Sequence, residues 1–422
     1  MNTDALVIGA GTAGLTTAIR LAQGGLRVLV VATGEGCLPL ASGTVDVLGY
    51  IPDPVQSPLD ALPGFLAAHP EHPYRITGAA GPEQSVAWFL QTAAPLGYAG
   101  ELTRNRWVPT VLGGLRPTAL VPRGMMAADL SGGGEVLIAG IRGFRDFHPA
   151  LLAENLCQAA PAPAPAIQAR AIELDWPGSA GELVPFRLAR RLEDADIRRH
   201  LAAQLRSKLG GAKAVGLPAV LGREKAAEVH ADLERRVGVP VFEIPGLPPS
   251  LPGLRLSDCL RRALRSAGGR LLLGSSAISA TRESDTVTSV TVTQASRPLE
   301  VSAGSYVLAT GGFATGGIVR EPDGELREPV FGLPVHGLAP GQQLFGAEYL
   351  AEHPLDRVGL RTDAAGRPLG PGGAPYALNL YAAGAVLAGA LPWREKSGEG
   401  LSLATAWHVA EAILGCHRAE AV

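Results

Sequence analysis

The residues of this chain with the plainest chemistry are glycines at fixed spacing. Gly9-Ala10-Gly11-Thr12-Ala13-Gly14 is a G-x-G-x-x-G run. In such a run Gly9 permits a tight turn, Gly11 lets a pyrophosphate approach the backbone, and Gly14 lets a helix and a strand pack closely. The helix that starts there offers unpaired N–H groups and partial positive charge to phosphate oxygens. The usual set includes an acidic residue about 20 positions on that holds an adenosine ribose. Here the second apolar run ends in Val31-Ala32-Thr33-Gly34, and the first carboxylate is Glu35. Either Glu35 or a backbone group substitutes, or no adenosine is bound in the usual way. FAD, FMN and NAD all stay open at this point.

Later segments narrow the choice. Thr310-Gly311-Gly312 closes the apolar run from Tyr306, which by itself also reads as a core strand with a turn. Gly384 ends another apolar run, and Ser397-Gly398-Glu399-Gly400 leads into a helical pattern from Leu401. A helix start of this kind can stabilise an electron-rich flavin ring as it accepts hydride. Helix N-termini from both ends of the chain suit an elongated cofactor. Ser42-Gly43-Thr44, in a loop of small residues, can wrap a phosphate through backbone N–H groups or be ordinary turn residues.

The elements that must position these groups follow from periodicity. Ala5 to Ile8 reads as a buried parallel strand, with a helix through Leu15, Ile19 and Leu21 behind it that stops at Gly24-Gly25. Leu26 to Val31 completes a βαβ unit. Prolines from Pro52 to Pro73 argue against long regular elements there. Helices are expected at Glu83–Ala94, Phe147–Ala159, Leu192–Leu209 and Arg255–Ala267. A last helix is expected over Leu401–Leu414, closed by Gly415. Strands are expected at Glu135–Gly140, Ile167–Leu174, Ala214–Leu221, Arg270–Leu273, Thr286–Thr293, Leu299–Thr310 and Leu378–Ala382, and the Pro-Ala run at 161–165 reads as a stiff connector. The fold class is therefore α/β: a discontinuous Rossmann-like flavin-binding domain (1–80 and 241–422, the second part β-rich) with an inserted α/β cap domain at 81–240.

Composition sets the outer limits. At 422 residues the chain exceeds the usual reach of a single core, and 46% hydrophobic with 18% charged residues places it with folded globules. A net charge of −2 offers no reason to expect nucleic acid or an anionic membrane as partner. Cys37, Cys157, Cys259 and Cys416 form no Cys-x-x-Cys pair, so no metal or cluster site is expected, and the thiols read as reduced and mostly buried. The N-terminus carries no signal-peptide pattern. The Leu380–Leu391 segment is shorter than the ~20 residues that span a bilayer. A cytoplasmic protein is expected.

Taken together, these segments resemble the two-domain flavoproteins of the fumarate reductase and aspartate oxidase kind. More closely, the chain resembles the B subunits of anaerobic glycerol-3-phosphate dehydrogenases. The motifs that carry the likeness occur in the family's order: Gly9 to Gly14, Ala41 to Asp46, His72-Pro73-Tyr74, Gly140 to Phe147, Leu217 to Gly222, Leu247 to Ser250, Arg327 to Leu333, and the Gly384 segment. The resemblance implies a complex that oxidises sn-glycerol 3-phosphate to dihydroxyacetone phosphate and passes electrons to menaquinone, then fumarate or nitrate. It implies a catalytic flavoprotein partner, the A subunit, and an iron–sulfur partner, the C subunit, which holds the assembly at the inner face of the cell membrane. For the B subunit it implies FMN; the pyrophosphate-type glycines favour FAD. Where the family often has a Gly-x-Gly-Gly-Gly segment before the last helix, this chain has Glu399, whose negative charge is expected to lower a flavin's reduction potential.

A phosphorylated alcohol needs arginines and a base. Arg142, Arg145, His148, Arg327 and His336 are the candidates from the family segments. For each, a solvated arginine or structural histidine is the default reading, and no base is named. The competing readings are a flavoprotein fold that has lost its cofactor and serves as a scaffold, and an NAD-dependent dehydrogenase, which leaves the Gly384 and Gly398 region unexplained.

Overall fold

A computed structural model describes residues 1–78, 80–159, 166–177, 183–294, 297–339 and 341–420. In chain order the elements begin with β1 (Asn2–Ile8), α1 (Thr12–Gln23), β2 (Val28–Ala32), α2 (Pro58–Ala68) and α3 (Gly81–Thr92). A hairpin of β3 (Arg106–Pro109) and β4 (Leu115–Thr118) leads to β5 (Gly134–Ile141), α4 (Pro149–Gln158), β6 (Ile167–Leu174), α5 (Pro185–Leu192) and α6 (Ala195–Lys208). Next come β7 (Ala214–Pro218), α7 (Ala226–Val237), β8 (Val241–Ile244) and α8 (Leu251–Ser266). The chain closes with β9 (Arg270–Leu273), β10 (Ser276–Glu283), β11 (Thr286–Thr293), β12 (Leu299–Leu308), β13 (Leu380–Ala382) and α9 (Gly398–Glu420).

The first sheet has seven strands in the order β9-β2-β1-β12-β11-β10, with β13 also pairing β12. Strands β9, β2, β1, β12 and β13 run parallel. The long β12 pairs with β1 on one side and with two strands on the other. Its start, Leu299 to Val301, pairs antiparallel with β11, and its end, Tyr306 to Leu308, pairs parallel with β13. Alternation decides the faces: Val7, Val30 and Val307 join the core under α1, α3 and α9, while Leu6, Leu29 and Tyr306 join the core on the opposite face. A second, all-parallel four-stranded sheet, β6-β5-β7-β8, has its own core with α4 to α7. Arg255 of α8 reaches it, donating to Glu243 of β8 at 2.6 and 3.0 Å and to the Gly222 carbonyl at 2.9 Å. These buried bonds fix α8 between the two sheets.

Several expectations need correction. The proline-rich stretch holds an eleven-residue helix, α2, because Pro58 sits in the first turn where its N–H is not needed. Pro63 forfeits one interior bond, and burial of Leu62 and Phe65 offsets that loss. The charged helix expected over 192–209 is α6, which starts at Ala195 because Asp194 caps it by accepting from Asp196 N–H at 2.9 Å; a separate helix that the pattern does not anticipate, α5, precedes it. Strand β10 was missed: its exposed alternation of small polar residues carries little apolar signal. Helix α9 continues through Gly415 to Glu420, since one glycine costs only about 1 kcal/mol in a helix. The cysteines are free, but Cys37, Cys157 and Cys416 are exposed and only Cys259 is buried. The Pro-Ala run at 161–165 lies outside the described residues.

Candidate flavin site

The carboxyl ends of β1, β2 and β12 open into a cleft of about 660 Å³. Gly9, Ala10, Gly11, Thr12 and Ala13 form one wall, and Thr310, Gly311 and Gly312 another. Gly398, Glu399 and Ser402 of α9 line it as well. Segments from opposite ends of the chain thus meet around one space.

The glycines of the first turn split by role. At Gly9, φ is +115° and a Cβ would lie 2.1 Å from the Ala309 carbonyl oxygen. At Gly14 a Cβ would lie 2.0 Å from the Gly9 carbonyl oxygen. Both are demanded by the fold itself. Gly11 is different: a Cβ there meets no protein atom within 4 Å. Packing gives no reason for glycine at this position, whereas a ligand lying against the backbone does. The first intrahelical bond is Leu15 N–H to Gly11 O at 3.0 Å, which leaves the amides of Thr12, Ala13 and Gly14 free at the positive end of α1. The first turn carries no acidic residue to compete for them. Beside this turn, the Thr310 hydroxyl is buried with no hydrogen-bond partner. Bare amides, an orphaned hydroxyl and open space beside Gly11 fit a phosphate-bearing cofactor.

Thr33, Gly34 and Gly36, the last packed against this turn, and Ser275, Ser276 and Ala277 at the start of β10 line a further part of the cleft. Glu35, the substitute considered for the ribose acid, is drawn outward to Arg261 at 3.0 Å and does not line the cleft.

Around the start of α9 the remaining motif residues brace the wall. Arg116 of β4 donates to Asp46 at 2.6 Å, to Ser42 at 2.6 Å and to Thr44 at 2.5 Å. The Gly43 carbonyl accepts from Tyr98 at 2.5 Å. Ser42, Gly43 and Thr44 therefore point into this network, and Ala41 is the residue of their loop that reaches the cleft. Gly400 N–H donates to the Asp46 carbonyl at 3.0 Å, so this helix start is only partly bare. Gly400 and Leu401 are buried behind the wall. Gly384 has φ +79°, gives its N–H to Thr405 at 2.9 Å, and would press a Cβ to 2.7 Å from Ala13; its neighbours Ala383 and Ala385 line the cleft instead. His72 meets Glu395 at 3.2 Å, and Tyr74 donates to the Val47 carbonyl at 2.8 Å, which ties the His72-Pro73-Tyr74 motif to the same corner.

The candidate catalytic residues do not meet. Arg142, Arg145 and His148 are exposed on the loop after β5 of the second sheet, and Arg142 pairs with Asp175 at 2.9 Å. Arg327 is exposed, 3.9 Å from Glu321. His336 is held by backbone bonds with Gly359, and burial, with help from Arg361, pushes its pKa down. None of these lines the cleft. Sequence reasoning chose Arg327 and missed its neighbour Glu328, which is fully buried and accepts from the amides of Val330 (2.9 Å) and Phe331 (2.7 Å). That carboxylate shapes the loop through which Pro329 and Val330 border the cleft.

Comparison with known proteins adds the identity of this arrangement. A family model described as an FAD binding domain matches residues 4–401. A relative from Halobacterium salinarum, named as the probable B subunit of an anaerobic glycerol-3-phosphate dehydrogenase, is 35% identical over 422 residues, covering 96% of each chain. The chain belongs to that family of B subunits. Its counterpart in Pectobacterium atrosepticum, named without "probable", is 35% identical and covers 98% of this chain and 99% of its own. Among solved structures, the 3-ketosteroid delta1-dehydrogenase of Sterolibacterium denitrificans aligns over 98% of this chain at 13% identity with a TM-score of 0.48. The family assignment agrees with the likeness read from the ordered motifs. It also places the Rossmann-like α/β fold and a flavin cofactor on firm ground. No helix among the described residues is long and apolar enough to cross a membrane.

Proposed function

We propose that this chain is the electron-relaying flavoprotein of a complex that oxidises sn-glycerol 3-phosphate to dihydroxyacetone phosphate, with FAD held in the cleft. The electrons pass to menaquinone and onward to fumarate or nitrate. The partners in this reading are a catalytic flavoprotein (the A subunit) and an iron–sulfur protein (the C subunit) that holds the assembly at the inner face of the cell membrane. Gly11 carries the cofactor half of the proposal: it is a glycine that packing does not need, beside free helix amides. A bound flavin supplies hydride acceptance and electron transfer. The residues of this chain would supply position: the α1 amides and the unpartnered Thr310 hydroxyl would hold the phosphates, and the start of α9 would contribute to the rest of the wall around the cofactor. The Thr33–Gly36 and Ser275–Ala277 part gives an adenosine a place to lie, which favours FAD over FMN.

The relay role rests on a different observation. Among the described residues that line the cleft there is no lysine, arginine or histidine; Asp356 and Glu399 are its charged groups. A dianionic phosphate substrate finds no counter-charge there. The proposed division of labour puts substrate on the catalytic flavoprotein partner.

The test is an absorbance spectrum of purified protein followed by chromatography of the released cofactor. FAD is expected. FMN would leave the adenosine part of the cleft without a purpose, and colourless protein that cannot be reconstituted would favour the scaffold reading. The isolated, flavin-loaded chain is expected not to reduce a dye with glycerol 3-phosphate unless the catalytic partner is added. Turnover by the chain alone would move substrate binding onto it.

A further inference from the structure

Asp46, Glu395 and Glu399 gather beneath the start of α9, and two of them are paired. Asp46 is held by the Arg116 guanidinium and accepts from Thr44 at 3.0 Å. Glu395 accepts from Ser397 and from the Leu391 amide, both at 2.9 Å, and meets His72. Glu399 forms no ion pair among the described residues, and it alone of these carboxyls lines the cleft. Its side chain is half-buried in the cleft wall. Burial and the charge of Asp46 work against its ionised form, while Arg116 and Lys396 partly offset them. Tyr74 and Tyr98 face the same corner, and burial pushes both of them up, away from ionisation at neutral pH. Arg116 is already committed to Asp46, Ser42 and Thr44. Glu399 is thus the group in this corner free to exchange a proton with the cleft.

We propose that Glu399 is a proton-accepting residue that takes up a proton from solvent when the bound flavin is reduced, so that the cleft does not gain net negative charge. The inference rests on the flavin reading above. Two electrons enter the ring from an external two-electron donor, which is the alcohol substrate through its partner protein or dithionite in the assay. One proton goes to the ring, and one goes from water to a Glu399 carboxylate oxygen, giving a neutral carboxylic acid. No bond of the protein breaks. No cation lines the cleft among the described residues, and the other lining carboxyl, Asp356, already accepts from the His353 amide at 2.9 Å, which leaves protonation of Glu399 as the means of compensation within the cleft wall. Glu399 is then a charge that disappears on reduction, in place of the fixed negative charge expected from sequence.

The experiment is a redox titration of the flavin-loaded protein across neutral pH, with wild type, Glu399→Gln and Glu399→Asp in parallel. It is accompanied by reduced-minus-oxidised infrared difference spectra. An extra proton per two electrons changes the reduction equilibrium by a further factor of ten per pH unit, which adds about 30 mV per pH unit to the slope. Wild type is expected to show that added slope and a new carboxylic-acid carbonyl band on reduction. Glu399→Gln loses both, and Glu399→Asp restores the band. Equal slopes in wild type and Glu399→Gln, with no carbonyl band in wild type, overturn the inference while the flavin reading stands. Protein that carries no flavin overturns both. Should Glu399→Gln fail to load, the wild-type band and its retention in Glu399→Asp decide.

Discussion

Glutamine at position 399 keeps the shape of the side chain and removes its charge, so its effect on cofactor-free protein measures what that charge costs. The carboxyl is pushed up from an ordinary value of 4.5 to about 7, chiefly by burial and then by the charge of Asp46. A shift of that size corresponds to about 3 kcal/mol against the ionised form. Because the residue lines an open cleft, solvent screens part of this, and about 2 kcal/mol is the expected difference. The sign follows from proton binding. Below the unfolded value the carboxyl is neutral in both states, and its favourable contribution is fully present. As pH rises, the unfolded chain ionises first, and stability falls until the folded carboxyl also ionises near 7. Above that the penalty is constant. Denaturant midpoints of wild type and Glu399→Gln, measured at intervals from about pH 4.5 to about pH 8.5, are therefore expected to converge in acid. They should diverge as pH rises, with the variant more stable by about 2 kcal/mol at the alkaline end. Parallel curves would mean that the carboxyl titrates normally, and the electrostatic account of this corner would be wrong.

Gly11→Ala is expected to fold like wild type and bind flavin at least about tenfold more weakly, measured by thermal unfolding and by fluorescence titration. Tight flavin binding by this variant would remove the main support for the site. Gly9→Ala forces a Cβ to 2.1 Å from a backbone oxygen at φ +115°, and a loss of about 3 kcal/mol in stability is expected with or without cofactor. In the second sheet's helical layer, Asp232 accepts from Arg198 at 2.6 Å and from Arg236 at 2.9 Å; burial pushes its pKa up, but these arginines outweigh it and hold it at about 2. Asp232→Asn leaves the buried Arg198 without its main counter-charge and should cost about 3 kcal/mol. Because the folded value is depressed, the wild type's advantage should be present above the unfolded value of 3.8 and fade as pH falls toward 2; an unchanged midpoint at neutral pH would refute this.

Much of the fold is written locally. The run Ala5–Ile8, the glycines after it and the apolar helix face behind them define a βαβ unit by pattern alone, because strand alternation and helix periodicity are properties of neighbouring residues. Strands β6 and β9 coincide with the segments expected from their apolar runs. Where local signals misled, packing overrode them. Pro63 sits inside α2 because Leu62 and Phe65 are buried, and Gly415 sits inside α9 because one weak residue cannot end a long, well-packed helix.

The site divides in the same way. Sequence by itself determined the G-x-G-x-x-G turn, and with it a helix end able to hold a phosphate. It also determined the family, through motifs kept in order along the chain. Only the tertiary structure decided that Gly11 is spare where Gly9 and Gly14 are structural, since that depends on how close the Ala309 carbonyl, remote in sequence, comes to Gly9 and how tightly the turn folds Gly14 onto the Gly9 carbonyl. Only the tertiary structure turned Ser42 and Thr44 toward Arg116, sent Glu35 to Arg261, and kept every candidate arginine out of the cleft. The charge state of Glu399 belongs to the same class. A carboxyl's proton affinity is set by its surroundings, and here these are brought together from segments remote in sequence.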